Sequence, residues 1–91
     1  MSPERATDQD FLALFIPAMA GTIRYSDACR WEIREGDGVW RRDGIGIRNR
    51  FMYEFAGTLA GDRRWDKVRH KTGMTQGQYQ LFAAAREGLS Q

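Results

Sequence analysis

The run FLALFIPAMAG, from Phe11 to Gly21, is the longest apolar stretch of the chain and sets the tightest limit on its fold. It is roughly half the length of a membrane-spanning helix and Pro17 interrupts it, so it must be buried by protein. Phe11, Leu14, Phe15 and Ala18 fall at i, i+3, i+4, i+7. Leu12, Ile16 and Met19 widen that stripe until a helix here is apolar nearly all round. Thr7 is placed to cap its start, with Asp8 and Asp10 favourable against the helix dipole, and Gly21 to end it. Pro17 removes one helical hydrogen bond and disfavours α geometry at Ile16, which predicts a kink or a restart. Residues 1–6, MSPERA, read as a frayed lead-in.

A chain of 91 residues has room for one core, so a single compact domain over 1–91 is expected. With 42% hydrophobic residues and three Trp, it can bury enough surface to offset the entropy of ordering. The lone Cys29 excludes an internal disulfide, and the opening residues lack the basic and apolar regions of a secretory leader. These features imply a cytoplasmic chain with no membrane association.

In ACRWEIREGDGVWRR, the residues Cys29, Trp31 and Ile33 alternate with Arg30, Glu32 and Arg34, the period of a half-buried strand. Glu35-Gly36-Asp37-Gly38 supplies turn chemistry and Val39-Trp40 begins a return strand. The competing reading is a short helix capped by Ser26 and ended by Gly36. Asp43-Gly44 and Gly46 make a further turn. From Ile47 to Leu59 the period is helical, with Phe51, Phe55 and Leu59 on one line and Met52 beside them; Arg48 and Arg50 lie off that line, toward solvent. A third helix is expected from Asp62, with Trp65 and Val68 inward. In the last helix, Thr75 and Gln78 match a capping box, Met74 and Tyr79 a hydrophobic staple, and Tyr79, Phe82, Ala83 and Leu89 an inward face. The expected fold class is α+β, mostly helical, with about four helices and a short β-hairpin near 28–42; the alternative is an all-α small bundle.

The segment RHKTGMTQGQY, Arg69 to Tyr79, resembles the end of one helix, the glycine turn and the start of the next in phage-repressor-type helix-turn-helix domains. That resemblance would give Gln76 a contact to a DNA phosphate. Gln80 stands where the family prefers a small Ala, and Ala84 where it prefers a turn Gly. Five residues follow Arg86, too few for the recognition helix that enters the major groove.

Charge is segregated. Formal charge is +2, but Arg41 to Lys71 holds nine Lys or Arg against four acids, and Arg outnumbers Lys twelve to two. The planar guanidinium suits phosphate or carboxylate recognition. The expected contact residues are therefore Arg41, Arg42, Arg48, Arg50, Arg63, Arg64, Lys67, Arg69, Lys71 and Gln76, with Trp40 and Tyr53 as aromatic anchors. Catalysis finds little support. Asp62, Asp66 and His70 align at i, i+4, i+8, but one His without a second His or Cys is a poor metal set, and they read better as an N-cap and a surface pair. Cys29 has no evident base, and the Gly pairs of GDGVWRRDGIG complete no phosphate loop. No catalytic residue, metal or cofactor is expected. The sequence thus points to a non-catalytic binding module, a small nucleic-acid-associated regulator. The alternative is a protein-binding inhibitor or adaptor of phage or mobile-element type, including the anti-CRISPR kind, in which Trp, Tyr and Arg anchor a host protein complex. Either form could be a homodimer through surplus apolar surface on helix one.

Overall fold

A computed structural model describes residues 5–90. Its first helix, α1 (Asp8–Met19), begins at a reciprocal cap. Thr7 Oγ1 accepts from the Asp10 amide at 3.1 Å, and the Asp10 carboxylate accepts from the Thr7 amide at 2.8 Å. Two N–H groups with no helical partner are thereby satisfied. The helix buries Phe11, Leu12 and Phe15, while Leu14 is 45% exposed and Ala18 faces solvent. The buried line is thus turned toward Leu12 from the expected one. Helix α1 runs through Pro17 without ending there. Pro17 and Ala13, whose carbonyl lacks its usual donor because of it, are both exposed, so water can take the missing bond.

Three antiparallel strands follow: β1 (Ile23–Ser26), β2 (Arg30–Arg34) and β3 (Trp40–Arg42), in the order β1-β2-β3. The expected hairpin is β2 with β3, where Ile33 faces Arg41 and Arg34 faces Trp40. Strand β1 adds to it with Ile23 opposite Ile33 and Tyr25 opposite Trp31. Ser26 caps no helix; its hydroxyl accepts from the Cys29 amide and tightens the β1–β2 turn, so the short-helix and all-α alternatives fall. Cys29 lies in that turn and is exposed, not inward. At the chain's other end, the Tyr25 amide donates to the Leu89 carbonyl at 2.9 Å, and Ser90 bridges to Tyr25.

The sheet's Trp31 meets α2 (Ile47–Gly57) and α4 (Thr75–Ala85), and α3 (Asp66–Thr72), which follows a 3-10 turn at Arg63–Trp65, packs against both of those helices. Aromatic rings link these layers. Phe11 stacks on Phe15, both meet Phe55 edge-on, and Phe82 bridges Phe15 to Trp31. Helix α2 buries Met52 and Ala56, and the expected line Phe51, Phe55, Leu59 is only half covered. Asp62 caps the 3-10 turn, and Trp65 and Val68 point inward, both as the sequence suggested.

The start of α4 departs from expectation. Met74 is its N-cap, and Thr75 makes no cap bond. Gln78 reaches the carbonyl of Thr72 at 2.7 Å, closing the end of α3 rather than the start of α4. The reason is Gly77: a Cβ there would stand 2.2 Å from the Lys71 carbonyl oxygen. Glycine lets the two helices touch backbone to backbone, which carries the Gln78 amide to Thr72. Tyr79 and Met74 are exposed and form no staple; the inward face is Gly77, Leu81, Phe82 and Ala85, continued by Leu89. No helix follows α4 among the described residues. Replacing Gly77 by Ala should destabilise the fold by at least about 2 kcal/mol, since the blocking atom is backbone and cannot rotate away. Urea denaturation checks this, and a loss below about 0.5 kcal/mol would show that the helices have room to part.

Candidate functional site

Among the expected contact residues, Arg48 is the one that the fold binds most firmly. Asp43 follows β3, and its side chain is fully buried. It accepts from the amides of Ile47 at 2.7 Å and Arg48 at 2.9 Å, the first turn of α2. Gly46, the formal N-cap, has no side chain to do this and adopts φ 83°. The same carboxylate takes Arg48 Nη1 at 2.9 Å, and the Asp43 amide donates to the Trp31 carbonyl. Arg48 lies over the rings of Trp31 and Phe82. It is an internal partner of Asp43, not the solvent-facing cation the periodicity implied.

Other cations are tied more loosely. Arg41 pairs with Asp37, Arg64 with Asp62, and Arg50 approaches Glu54 at 4.0 Å. Arg42 reaches only the Cys29 carbonyl, and Arg63 pairs with no acid among the described residues. The Arg64 fork is the main cause holding the Asp62 carboxyl below the usual carboxylate range, with the Arg64 amide second. Asp37 is lowered likewise by Arg41. A lowered folded value means that the stabilising contribution is present above the ordinary Asp range and is lost as pH falls through the lowered one. Trp40 is a poor stacking platform, because the guanidiniums of Arg24 and Arg34 already lie over its ring at 4.1 and 5.0 Å.

The expected residues therefore do not share one face. Trp40, Arg41 and Arg42 belong to β3 at the sheet edge, Arg63 and Arg64 to the 3-10 turn. Five of them do converge, where α2, α3 and α4 meet. Two adjoining hollows, of about 390 and 350 Å3, share His70 and Met74. Tyr53 and Arg69 line the first; Lys67, Lys71 and Gln76 line the second. Tyr53 is 59% exposed, and Lys67 has no acidic partner among the described residues. Arg69 spends Nε on the Ala56 carbonyl, and Lys71 holds Asp8. Asp66 is the one carboxylate lining either hollow. His70, which the charge count passed over, sits at the centre.

Of the acid–histidine line Asp62, Asp66 and His70, the last two share a hollow and the first does not line it. Asp62 is committed to Arg64, and Cys29 lies in the β1–β2 turn whereas His70 lies on α3. Among the described residues no group of three His, Cys, Asp or Glu is placed to hold a metal ion, and no helix is long and apolar enough to cross a membrane. No family model matches the chain, and neither a curated protein nor a solved structure matches it.

Two measurements check this geometry. Asp43→Ala should cost about 3 kcal/mol in urea denaturation, because it leaves Arg48 inside without its counter-charge and α2 without its cap; a cost under about 1 kcal/mol would show that water substitutes for both. By NMR, the Asp62 carboxyl should titrate below 3.8 and move up in Arg64→Gln. An unchanged midpoint would mean that the fork does not persist in solution.

Proposed function

We propose that the chain is a non-catalytic, nucleic-acid-associated regulator that contacts phosphate backbone through the surface where α3 meets α4. The observation that carries this reading is the convergence of Tyr53, Lys67, Arg69, Lys71 and Gln76 around His70, drawn from three helices onto one surface. Lys67 is a mobile point charge, Arg69 keeps its terminal nitrogens for a phosphate, and exposed Tyr53 offers a ring on which a base can stack. Gln76 keeps the phosphate-contacting role that the helix-turn-helix resemblance gave it. The lining residues offer contacts to phosphate and a stacking ring, and contacts of that kind position the nucleic acid rather than read its sequence. The exposed free thiol of Cys29 suits a reducing, cytoplasmic compartment.

A second reading rests on Ile45, which is 87% exposed between Gly44 and Gly46. An isoleucine held out on a glycine loop is suited to a pocket on a partner, as a small inhibitor or adaptor of a protein complex would require. The homodimer is a further form of this reading. Its seam on α1 would centre on Leu14, since Phe11, Leu12 and Phe15 are used by the chain's own core.

Salt separates the two readings. Binding to mixed-sequence nucleic acid should weaken steeply with salt, and Lys67→Gln should lower the log–log slope by about 0.7 to 0.9, one phosphate contact. Ile45→Ser should leave that binding unchanged. Absence of binding at low salt, or a slope indifferent to Lys67, would overturn the nucleic-acid reading.

A further inference from the structure

On the opposite side of the first turn of α4 lies a cleft that the basic surface does not use. It is framed by β2, α2 and α4 and encloses about 200 Å3. Pockets for drug-sized ligands run to about 300–1,000 Å3, so this one has room for a single planar ring system. Trp31 and Phe82, edge to face at 5.2 Å, form its base beneath the Arg48 guanidinium, which lies over both rings. The Tyr79 ring stands at its margin, 77% exposed and packed on no other aromatic ring.

The polar lining is cationic, amide and hydroxyl, with no carboxylate. Arg48 commits Nη1 to Asp43 and has Nε buried without a partner, which leaves Nη2 as its polar atom open to the cleft. Arg86 has no acidic partner among the described residues; its one bond is a long contact, 3.4 Å, to the Tyr25 hydroxyl. Arg30 donates to that same hydroxyl at 3.3 Å from a backbone with φ 60°, so a second guanidinium stands beside the first. Asn49 also lines the cleft, and its carboxamide makes no hydrogen bond within the described chain.

We propose that this cleft receives one unstacked nucleobase together with its phosphate, from a single-stranded stretch of the nucleic acid. A small inorganic anion would satisfy the guanidiniums and leave the exposed Tyr79 ring unused, and a carboxylate side chain brings no planar ring. A base with its phosphate uses both. Tyr79 stacks on the base, Asn49 meets its hydrogen-bonding edge, and Arg86 takes the phosphate. Thr75 lines the cleft and Gln76 lines the basic surface, so a strand crossing the first turn of α4 reaches both. The polymer as source rests on the reading above; the chemistry of the cleft does not.

Two probes test it. In the first, adenosine monophosphate at millimolar concentration is titrated into labelled protein while the Trp31 indole N–H is followed by NMR. In the second, the affinity for a single strand is compared with that for an abasic strand of equal length. The nucleotide should shift the Trp31 signal, and the base-bearing strand should bind roughly 5- to 150-fold more tightly than the abasic one. Tyr79→Ala, an exposed position where Ala favours the helix, should cut the preference several-fold, to what Tyr53 supplies, and leave abasic affinity unchanged. Equal, salt-sensitive binding of both strands, or a preference that Tyr79→Ala leaves unchanged, would overturn the cleft and leave the backbone reading intact. Binding of neither strand with a Trp31 shift lost in Tyr79→Ala would support the base site, overturn its polymeric source, and remove the backbone reading.

Discussion

The Asp43 carboxylate is the point on which the sheet and the helices depend jointly. It stands directly after β3, supplies the acceptors that the first turn of α2 lacks, and neutralises a guanidinium that lies over two aromatic rings. Each role alone would be filled by an ordinary cap or ion pair. Combining them fixes the angle at which α2 leaves the sheet, and with it the positions of Met52 and Ala56 in the core. The partial desolvation of Arg48 is offset by two oxygens of one residue, its carboxylate and its carbonyl.

Much of this architecture was legible in the residues, and the failures share physical causes. The Thr7 cap, the β2–β3 hairpin, and Trp65 with Val68 were readable because each signal is local. Strand β1 was missed because four residues, IRYS, carry little periodicity and are stabilised by distant partners at Ile33 and Leu89. Asp43 was read only as a turn residue: its partners lie across a glycine loop, four and five positions on, outside the usual cap spacing.

Helix phase was the weakest inference. In α1 and α4 the buried line is rotated from the expected one, toward Leu12 and Leu81 and away from Leu14 and Tyr79. Both helices carry apolar residues on more than one face, so periodicity alone leaves two orientations of similar merit. Packing decides between them, through aromatic contacts on α1 and through Gly77 on α4. The contact residues suffered from the same cause. Charge along the sequence gathers Arg41 to Lys71 into one block, whereas folding spends several of those cations on Asp37, Asp43, Asp62 and Asp8. Arg86 and Tyr79, outside the block, gained their position from α4.

Helix α3 has seven residues, too few to nucleate or persist alone in water. Its last carbonyl is closed by Gln78 and its flank rests on Gly77, so it borrows its order from α4. The two helices thus share their closure, and α3 loses its last hydrogen bond when α4 undocks. Lys67, Arg69 and Lys71 form an ordered array only while α4 is docked, and any ligand that damps the fluctuations of α4 also stiffens the row of charges beside it.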